Sequence, residues 1–574
     1  MKKPEHEQQN DNGNQPEAQA STPDNPARRR FLAGASVIGL SSGILPLAGA
    51  KAAPAHQQIA LSKLPAKQQD QLLRKHIRNI VVIYAENRSF NNLFANFPGV
   101  SQPLAELRPE HYQQRDRDGS ELSHFPPVWK GLVPDEQTVN HTVYHVAEDA
   151  AYLQQLPNEP FPLKGPDGEA LPQGVVTRDL WHVFYQNQMQ INGGKNDKFV
   201  AWADSGALTM GYYGDSAYNM RLWNLAQEYT LCDNFFQGAF GGSFLNHQYL
   251  VCARPPFYPD VHQSPAKDQV ATLMSDDPAD PRLKPKEDSP ASALQGIPKF
   301  GPSQLTPDGF AVNTMLPPYW PSGSRDKNNP ALADMTSPKT LPPQTHQHIG
   351  DLLSAKGIDW AWYAGGWQFA IDGKKDSTTF PARPDFQLHH QPLNYFADLG
   401  PEHPEQRNQH LRDGGLGDSA ETNKFLADVD AGKLPPVTFY KPQGNLNMHA
   451  GYSDVESGDR HIAHIVNRLQ KSPQWENTLV VITFDENGGW WDHVAPPKGD
   501  RWGPGTRIPA LVVSPYALKG HVEHTQYDTG SILRLITRVF DLPQLPGLKT
   551  RDEALAKNGS KPMGDLTEIL RFPG

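Results

Sequence analysis

Cysteine is almost absent: two residues, Cys232 and Cys252, in a chain of 574. So few thiols exclude a disulfide-stapled scaffold or a cysteine-built metal module, and leave either one bridge across the intervening segment or two buried thiols. Basic charge is in deficit. With 53 Lys and Arg against 63 Asp and Glu, the net charge is −10, the wrong sign for a general nucleic-acid binder, which needs a basic footprint. A long unbroken apolar run is also missing. The most apolar early stretch, residues 33–50, is interrupted by Pro46 and by several glycines and serines, so no stable membrane span is expected. Proline, by contrast, is plentiful at 54 residues, which points to long ordered loops between elements.

The first 26 residues are polar and nearly free of apolar side chains, a composition that cannot form a core. Arg28-Arg29-Arg30-Phe31-Leu32 and the weakly apolar stretch after it look like a twin-arginine signal, with cleavage among the small residues near Ala48-Gly49-Ala50 or Ala52-Ala53. The expected division is therefore a leader and signal over 1–53 and one large domain over 54–574. The translocation machinery that reads such a signal carries folded proteins, often with a cofactor in place. Residues 255–343, dense in Pro, Asp, Lys and Ser with little periodicity, are expected to be an insertion within that domain.

Asn79–Ala85 and Thr478–Phe484 are continuous β-branched and apolar runs, the pattern of strands buried on both faces in a parallel sheet. Trp360–Ala364 and Ala510–Val513 read as further strands. Helical patterns fall within 179–199, 220–230 and 350–357, and Ser531–Phe540 is amphipathic. Alternating apolar strands and helices predict an α/β fold around a mainly parallel sheet with long loop insertions.

The chemistry centres on Gln237-Gly238-Ala239-Phe240-Gly241-Gly242-Ser243-Phe244-Leu245-Asn246-His247-Gln248. Glycines permit a sharp turn and close approach of a reacting group. A hydroxyl at the first turn of the helix that follows would face unpaired N–H groups, a setting suited to an attacking serine and its phosphate. The competing reading is a serine N-cap in ordinary loop chemistry. Two predicted strands end in acids, Glu86-Asn87 and Asp485-Glu486-Asn487. Either pair alone fits a solvated turn, but two such ends converging would suit a divalent cation. A serine on that cation would attack phosphorus more readily.

Glu86-Asn87-Arg88-Ser89-Phe90, Asn192-Gly193-Gly194-Lys195, Asp485-Glu486-Asn487-Gly488-Gly489 with Asp492-His493, and Ser531-Ile532-Leu533-Arg534 resemble the bacterial phosphoesterase family that joins acid phosphatase A to the phosphatidylcholine-type phospholipases C. Gly241–Gln248, Phe386–Pro392 and Asn447–Tyr452 resemble the acid phosphatase branch more closely. Ala450, where proline is usual, and Asn91-Asn92-Leu93-Phe94, where an Asp-His pair is common, depart from the pattern without touching an expected ligand. The resemblance implies an alkaline-phosphatase-like α/β/α sandwich and a phosphoryl–enzyme intermediate. It implies Ser243 as nucleophile and, with Glu86, Asn87, Asp485 and Glu486, as ligand to one divalent metal ion of unspecified identity. His182, His389, His390 and His449 would line the phosphate site, with Asn246 and His247 near the substrate and His493 and Arg507 behind it. The expected substrates are small phosphate monoesters, with phospholipid headgroups as the alternative. Carboxylates beside the histidines are expected to keep them protonated and to make the pH optimum acidic.

Overall fold

The computed structural model describes residues 58–128, 136–145, 155–374 and 386–573. The expected leader and twin-arginine signal lie outside the described residues. The sheet at the centre has eight strands: β1 (Asn79–Ala85), β2 (Thr230–Cys232), β3 (Trp360–Gly365), β4 (Leu411–Gly415), β5 (Val437–Lys441), β6 (Thr478–Phe484), β7 (Ala510–Val513) and β8 (His521–Glu523). Their spatial order is β4-β3-β5-β1-β6-β7-β2-β8. Only β7 runs antiparallel to its neighbours. All seven residues of β1 and of β6 are buried, as their unbroken apolar sequences require.

Five helices matter to the site: α1 (Phe184–Ile191), α2 (Ser243–Cys252), α3 (Lys424–Asp430), α4 (Val455–Lys471) and α5 (Thr529–Phe540). Successive strand side chains point to opposite faces, and the ring contacts show what covers each. Trp362 of β3 packs toward His247 of α2, ring centroids 6.0 Å apart. The next residue, Tyr363, meets Phe425 of α3 at 5.4 Å, and Tyr440 of β5 meets Phe425 and His461 of α4. Helix α2, with α5 packed against it, therefore lies on one face, and α3 and α4 lie on the other. The result is an α/β/α sandwich.

Register decides what the sheet delivers. β1 and β6 pair level along their whole length, from Thr478 opposite Asn79 to Phe484 opposite Ala85. β5 joins on the other side of β1 with Tyr440 opposite Ile83. A slip of one residue would send every side chain of these strands to the opposite helix layer, whose packing is shaped for different residues. The level register therefore holds, and Lys441, Glu86 and Asp485 emerge together at one edge.

Several elements differ from expectation. Helix α1 starts only at Phe184; Asp179–Val183 has no regular structure. There the backbone N–H groups of Trp181 and Phe184 donate to the side chains of Asp204 and Asn313 (both 2.9 Å), so tertiary partners replace helical ones. The four strands β2, β4, β5 and β8 are three to five residues long, too short to show a period. Between 255 and 343 the chain forms three 3₁₀ turns and isolated bridges such as Phe257 with Phe310. Cys232 and Cys252 are both buried free thiols. No helix among the described residues is long and apolar enough to cross a membrane.

Two glycines shape the turn into α2. Gly241 has φ +82°, and a Cβ there would collide with the backbone of Phe184; one on Gly242 would meet the His182 carbonyl oxygen at 2.6 Å. We expect Gly241→Ala to cost about 1–2 kcal/mol for the left-handed backbone alone, more for the collision, and to abolish turnover by displacing Ser243. Gly119→Ala, at φ +91° with nothing near its added methyl, should lose comparable backbone energy but keep its rate. Denaturant midpoints and turnover of both variants check this.

Candidate active site

The turn before Ser243 is tied down on every side. Gly238 N–H donates to Thr529 Oγ1 (2.9 Å) and its carbonyl accepts from Arg551 (2.8 Å). Ala239 N–H donates to Asn246 Oδ1 (2.9 Å), while Asn246 Nδ2 donates to the carbonyls of Ala239, Gly241 and Gly242. Gly242, extended, is the N-cap, and Ser243 is the first helical residue. The serine is thus not capping the helix. Its hydroxyl is directed elsewhere.

Ser243 Oγ lies 3.1 Å from Glu86 Oε2, 3.2 Å from Asn87 Oδ1 and 3.5 Å from Glu486 Oε1. One hydroxyl proton cannot satisfy three acceptors. Asp485 stands beside them: its Oδ1 accepts the backbone N–H groups of Asn87 (3.0 Å) and Glu486 (2.8 Å), and its buried Oδ2 has no hydrogen-bond partner. Asn87 reaches inward from a left-handed backbone at φ 60°, which asparagine tolerates better than most residues. Surplus acceptor oxygens, unpaired and buried, fit a hard or borderline divalent cation held by Glu86, Asn87, Ser243, Asp485 and Glu486.

The charge pattern agrees with that fit. Burial and the neighbouring Glu86 carboxylate push Asp485 up to about 7, and burial with Asp485 nearby pushes Glu486 well above the usual carboxylate range against the pull of His182. Burial also opposes ionisation of Glu86, but the Lys441 ammonium and His390 overcome it and hold this group well below that range.

The histidines divide. His182, on the extended segment before α1, has Nδ1 2.6 Å from the Leu180 carbonyl and Nε2 3.8 Å from Glu486 Oε1. Burial works against its charge, yet Glu486 and Asp179 raise it to about 9. His390 Nε2 is 2.9 Å from Glu86 Oε1, but burial outweighs that carboxylate and His390 falls to about 4. Burial likewise lowers His389, His449 and His247. The expectation that carboxylates keep the pocket histidines charged therefore holds at His182 and fails at His389, His390 and His449, where desolvation is the larger effect.

A cavity of about 300 Å³ opens onto Ser243. His182, His389 and His449 line it together with Asp179, Phe244, Gln387 and Tyr452, and the 255–343 stretch closes one wall with Val312, Asn313 and Thr314. His390 sits beneath, against Glu86. Asn246 and His247, expected near the substrate, do not line the cavity. Asn246 is spent on the backbone of the turn, and His247, fully buried, has Nδ1 2.7 Å from the Ser243 carbonyl on the inner side of α2. Arg507 and His493 are also behind the site: Arg507 pairs with Asp492 (3.0 Å) and His493 Nδ1 meets Asn91 Oδ1 (3.0 Å). Sequence reasoning missed Lys441, whose buried ammonium rests against Glu86 Oε1. Its signal was present in the run Val437-Thr438-Phe439-Tyr440, a strand pattern that ends on a lysine.

An α/β sandwich with its polar residues gathered past the carboxyl ends of parallel strands places its candidate site where open sheets bind ligands. The chain belongs to the Phosphoesterase family, whose profile matches residues 77–543. Among curated relatives it is similar to non-specific phospholipase C6 of Arabidopsis thaliana (33% identical over 151 residues, 21% of this chain and 29% of that one). It is also similar to phospholipase C B of Mycobacterium tuberculosis (31% over 173 residues, 26% and 32%) and to non-hemolytic phospholipase C of Pseudomonas aeruginosa (27% over 177 residues, 25% and 24%). The matched stretches thus span no more than a third of these relatives. Similar solved structures include an alkaline phosphatase superfamily protein from Vibrio parahaemolyticus (9% identical, TM-score 0.29, covering 67% of this chain and 69% of that one). Another is the lipoteichoic acid synthase LtaP from Listeria monocytogenes (8%, TM-score 0.26, 60% and 68%). These overlaps are loose, and the layering described above stands on the chain's own sheet.

His182 is the pocket histidine whose neighbours favour its protonated form through neutral pH. Its charged form is favoured in the folded protein, so a role that needs the imidazolium is fully present below about pH 6.5 and is lost as pH rises toward 9. A cation bound beside Glu486 opposes the shift and brings the loss earlier. We expect the alkaline limb of the pH–rate profile to vanish in His182→Asn, with a fall in rate of about 10²–10⁴-fold, while His390→Asn keeps that limb.

Proposed function

We propose that this protein is an exported, metal-dependent phosphatase of the acid phosphatase type, hydrolysing phosphate monoesters through a phosphoserine at Ser243. The observation that carries the proposal is the Ser243 hydroxyl set within 3.5 Å of three oxygens from two strand ends. One divalent cation on Glu86, Asn87, Ser243, Asp485 and Glu486 would supply the positive charge that favours the serine alkoxide near neutral pH. Ser243 Oγ attacks phosphorus, the bond from phosphorus to the leaving alcohol breaks, and the departing oxygen takes a proton from His182. The phosphoryl oxygens face the N–H groups at the start of α2, unpaired within the ten-residue helix. Water then attacks the phosphoserine and gives a proton to the now neutral His182, the bond from phosphorus to Ser243 Oγ breaks to return the serine alkoxide, and phosphate leaves.

The curated relatives favour a second reading, a phospholipase C acting on phosphatidylcholine-type phosphodiesters. Gly241-Gly242-Ser243 and a cavity of about 300 Å³, near the lower end for ligand sites, favour the small monoester. Rates on p-nitrophenyl phosphate and on phosphatidylcholine vesicles decide between them; faster release of phosphocholine would reverse the assignment.

Ser243→Ala should retain the fold, since little volume is lost, and lose turnover by at least about 10³-fold, in line with removing a nucleophile. Acid quenching with radiolabelled substrate should mark Ser243; label on a histidine would overturn the role. Asp485→Asn should lower bound metal, measured by elemental analysis, because a neutral amide replaces an anionic ligand. Export by the twin-arginine route rests on Arg28-Arg29-Arg30-Phe31-Leu32. Replacing the three arginines by lysine should retain the protein in the cytoplasm, and unchanged fractionation would exclude that route.

A further inference from the structure

Behind the Ser243 oxygens lies a second set of metal-type ligands. Glu86 groups with His389 and His390, and again with His247 and Asp485; in each trio one ligand atom per residue lies within 4.8 Å of the others, and all are buried. His247 Nδ1 is taken by the Ser243 carbonyl (2.7 Å), so the ring turns its Nε2 lone pair toward Glu86 Oε1, 3.9 Å away. That nitrogen and Asp485 Oδ2 are both buried without a hydrogen-bond partner. Imidazoles and carboxylates in this mixture suit a borderline cation such as zinc. By donor type alone, this is a second metal position sharing Glu86 and Asp485 with the first.

A positive charge is already there. The Lys441 side chain is fully buried, its ammonium against Glu86 Oε1 and 5.4 Å from the Tyr84 ring centroid. It arrives by sheet register: β5 pairs with β1 on one side and with β3 on the other, where Lys441 stands opposite Ala364. No loop movement can withdraw it. Its charge acts on Glu86, Asp485, His247, His389 and His390 alike, which are the five members of the two trios.

We propose that Lys441 stands in place of a second metal ion: its ammonium fills the imidazole–carboxylate pocket behind Glu86 and reserves the centre for one divalent cation. A covalently tethered charge cannot dissociate or be chelated, and it leaves Glu86 one oxygen for the cation at Ser243. This rests on the single-metal reading above.

The test counts metal. Wild type, Lys441→Ala and Lys441→Ala with His247→Ala are stripped with chelator, equilibrated with excess Zn²⁺, passed through gel filtration and analysed for zinc per chain. The expected result is one ion in the wild type, two in Lys441→Ala, and a return to one in the double variant. One ion in folded Lys441→Ala, two in the wild type, or two in the double variant would overturn the proposal. Should Lys441→Ala be unfolded without metal, Zn²⁺ is expected to restore its melting transition, and failure to do so also overturns it. A wild type that binds no zinc, and no Mn²⁺ in a parallel equilibration, would instead sink the single-metal reading itself.

Discussion

Three carboxylates, Glu86, Asp485 and Glu486, are forced into one buried place by two strands that end level. Gathering like charges away from water is costly unless each is compensated, and much of the surrounding structure answers that cost. Backbone N–H groups of Asn87, Glu486 and Gly488 point at the acids. Lys441 and His390 hold Glu86 ionised, and His182 takes up charge beside Glu486. Asp485 Oδ2 remains buried without a hydrogen-bond partner, the charge that the cation proposed above would compensate.

The same constraint explains why the scaffold around the site is polar yet rigid. Arg88, fully buried, donates twice to the Met448 carbonyl (3.0 and 2.8 Å) and lies 5.6 Å from the Trp490 ring centroid. Arg507 ties Asp492 to the Asp233 carbonyl and to Asn91. Arg551 links Asp500 and Asp528 to the turn before Ser243. Each guanidinium joins segments far apart in sequence, so the loops that present catalytic groups are cross-braced by directional bonds as well as by packing.

The central strands, the convergence of Glu86-Asn87 with Asp485-Glu486 and the helix start at Ser243 were legible because long β-branched runs and glycine pairs carry strong local signals. The short strands were not. β5 is five residues with a lysine at its end, and only the register against β1 and β3 gives that lysine a place. His182 and Asn246 show the same limit from the other side. The histidine was found by motif, but its extended backbone depends on Asp204 and Asn313. Asn246 falls beside Ser243 in sequence, yet its amide is consumed by the turn. Proximity along a helix does not say which face a side chain serves. Nor does the number of carboxylates near a histidine say whether they outweigh its burial, as His390 demonstrates.

The two thiols have a bearing on how this architecture is made. Cys232 sits within the sheet and Cys252 at the end of the helix that begins with Ser243, its sulfur 3.1 Å from the Gln248 carbonyl; burial pushes both thiols well above their ordinary range. Thiols held so firmly protonated resist oxidation. No covalent cross-link joins β2 to the helix that carries Ser243, so packing and hydrogen bonds alone hold that helix against the sheet.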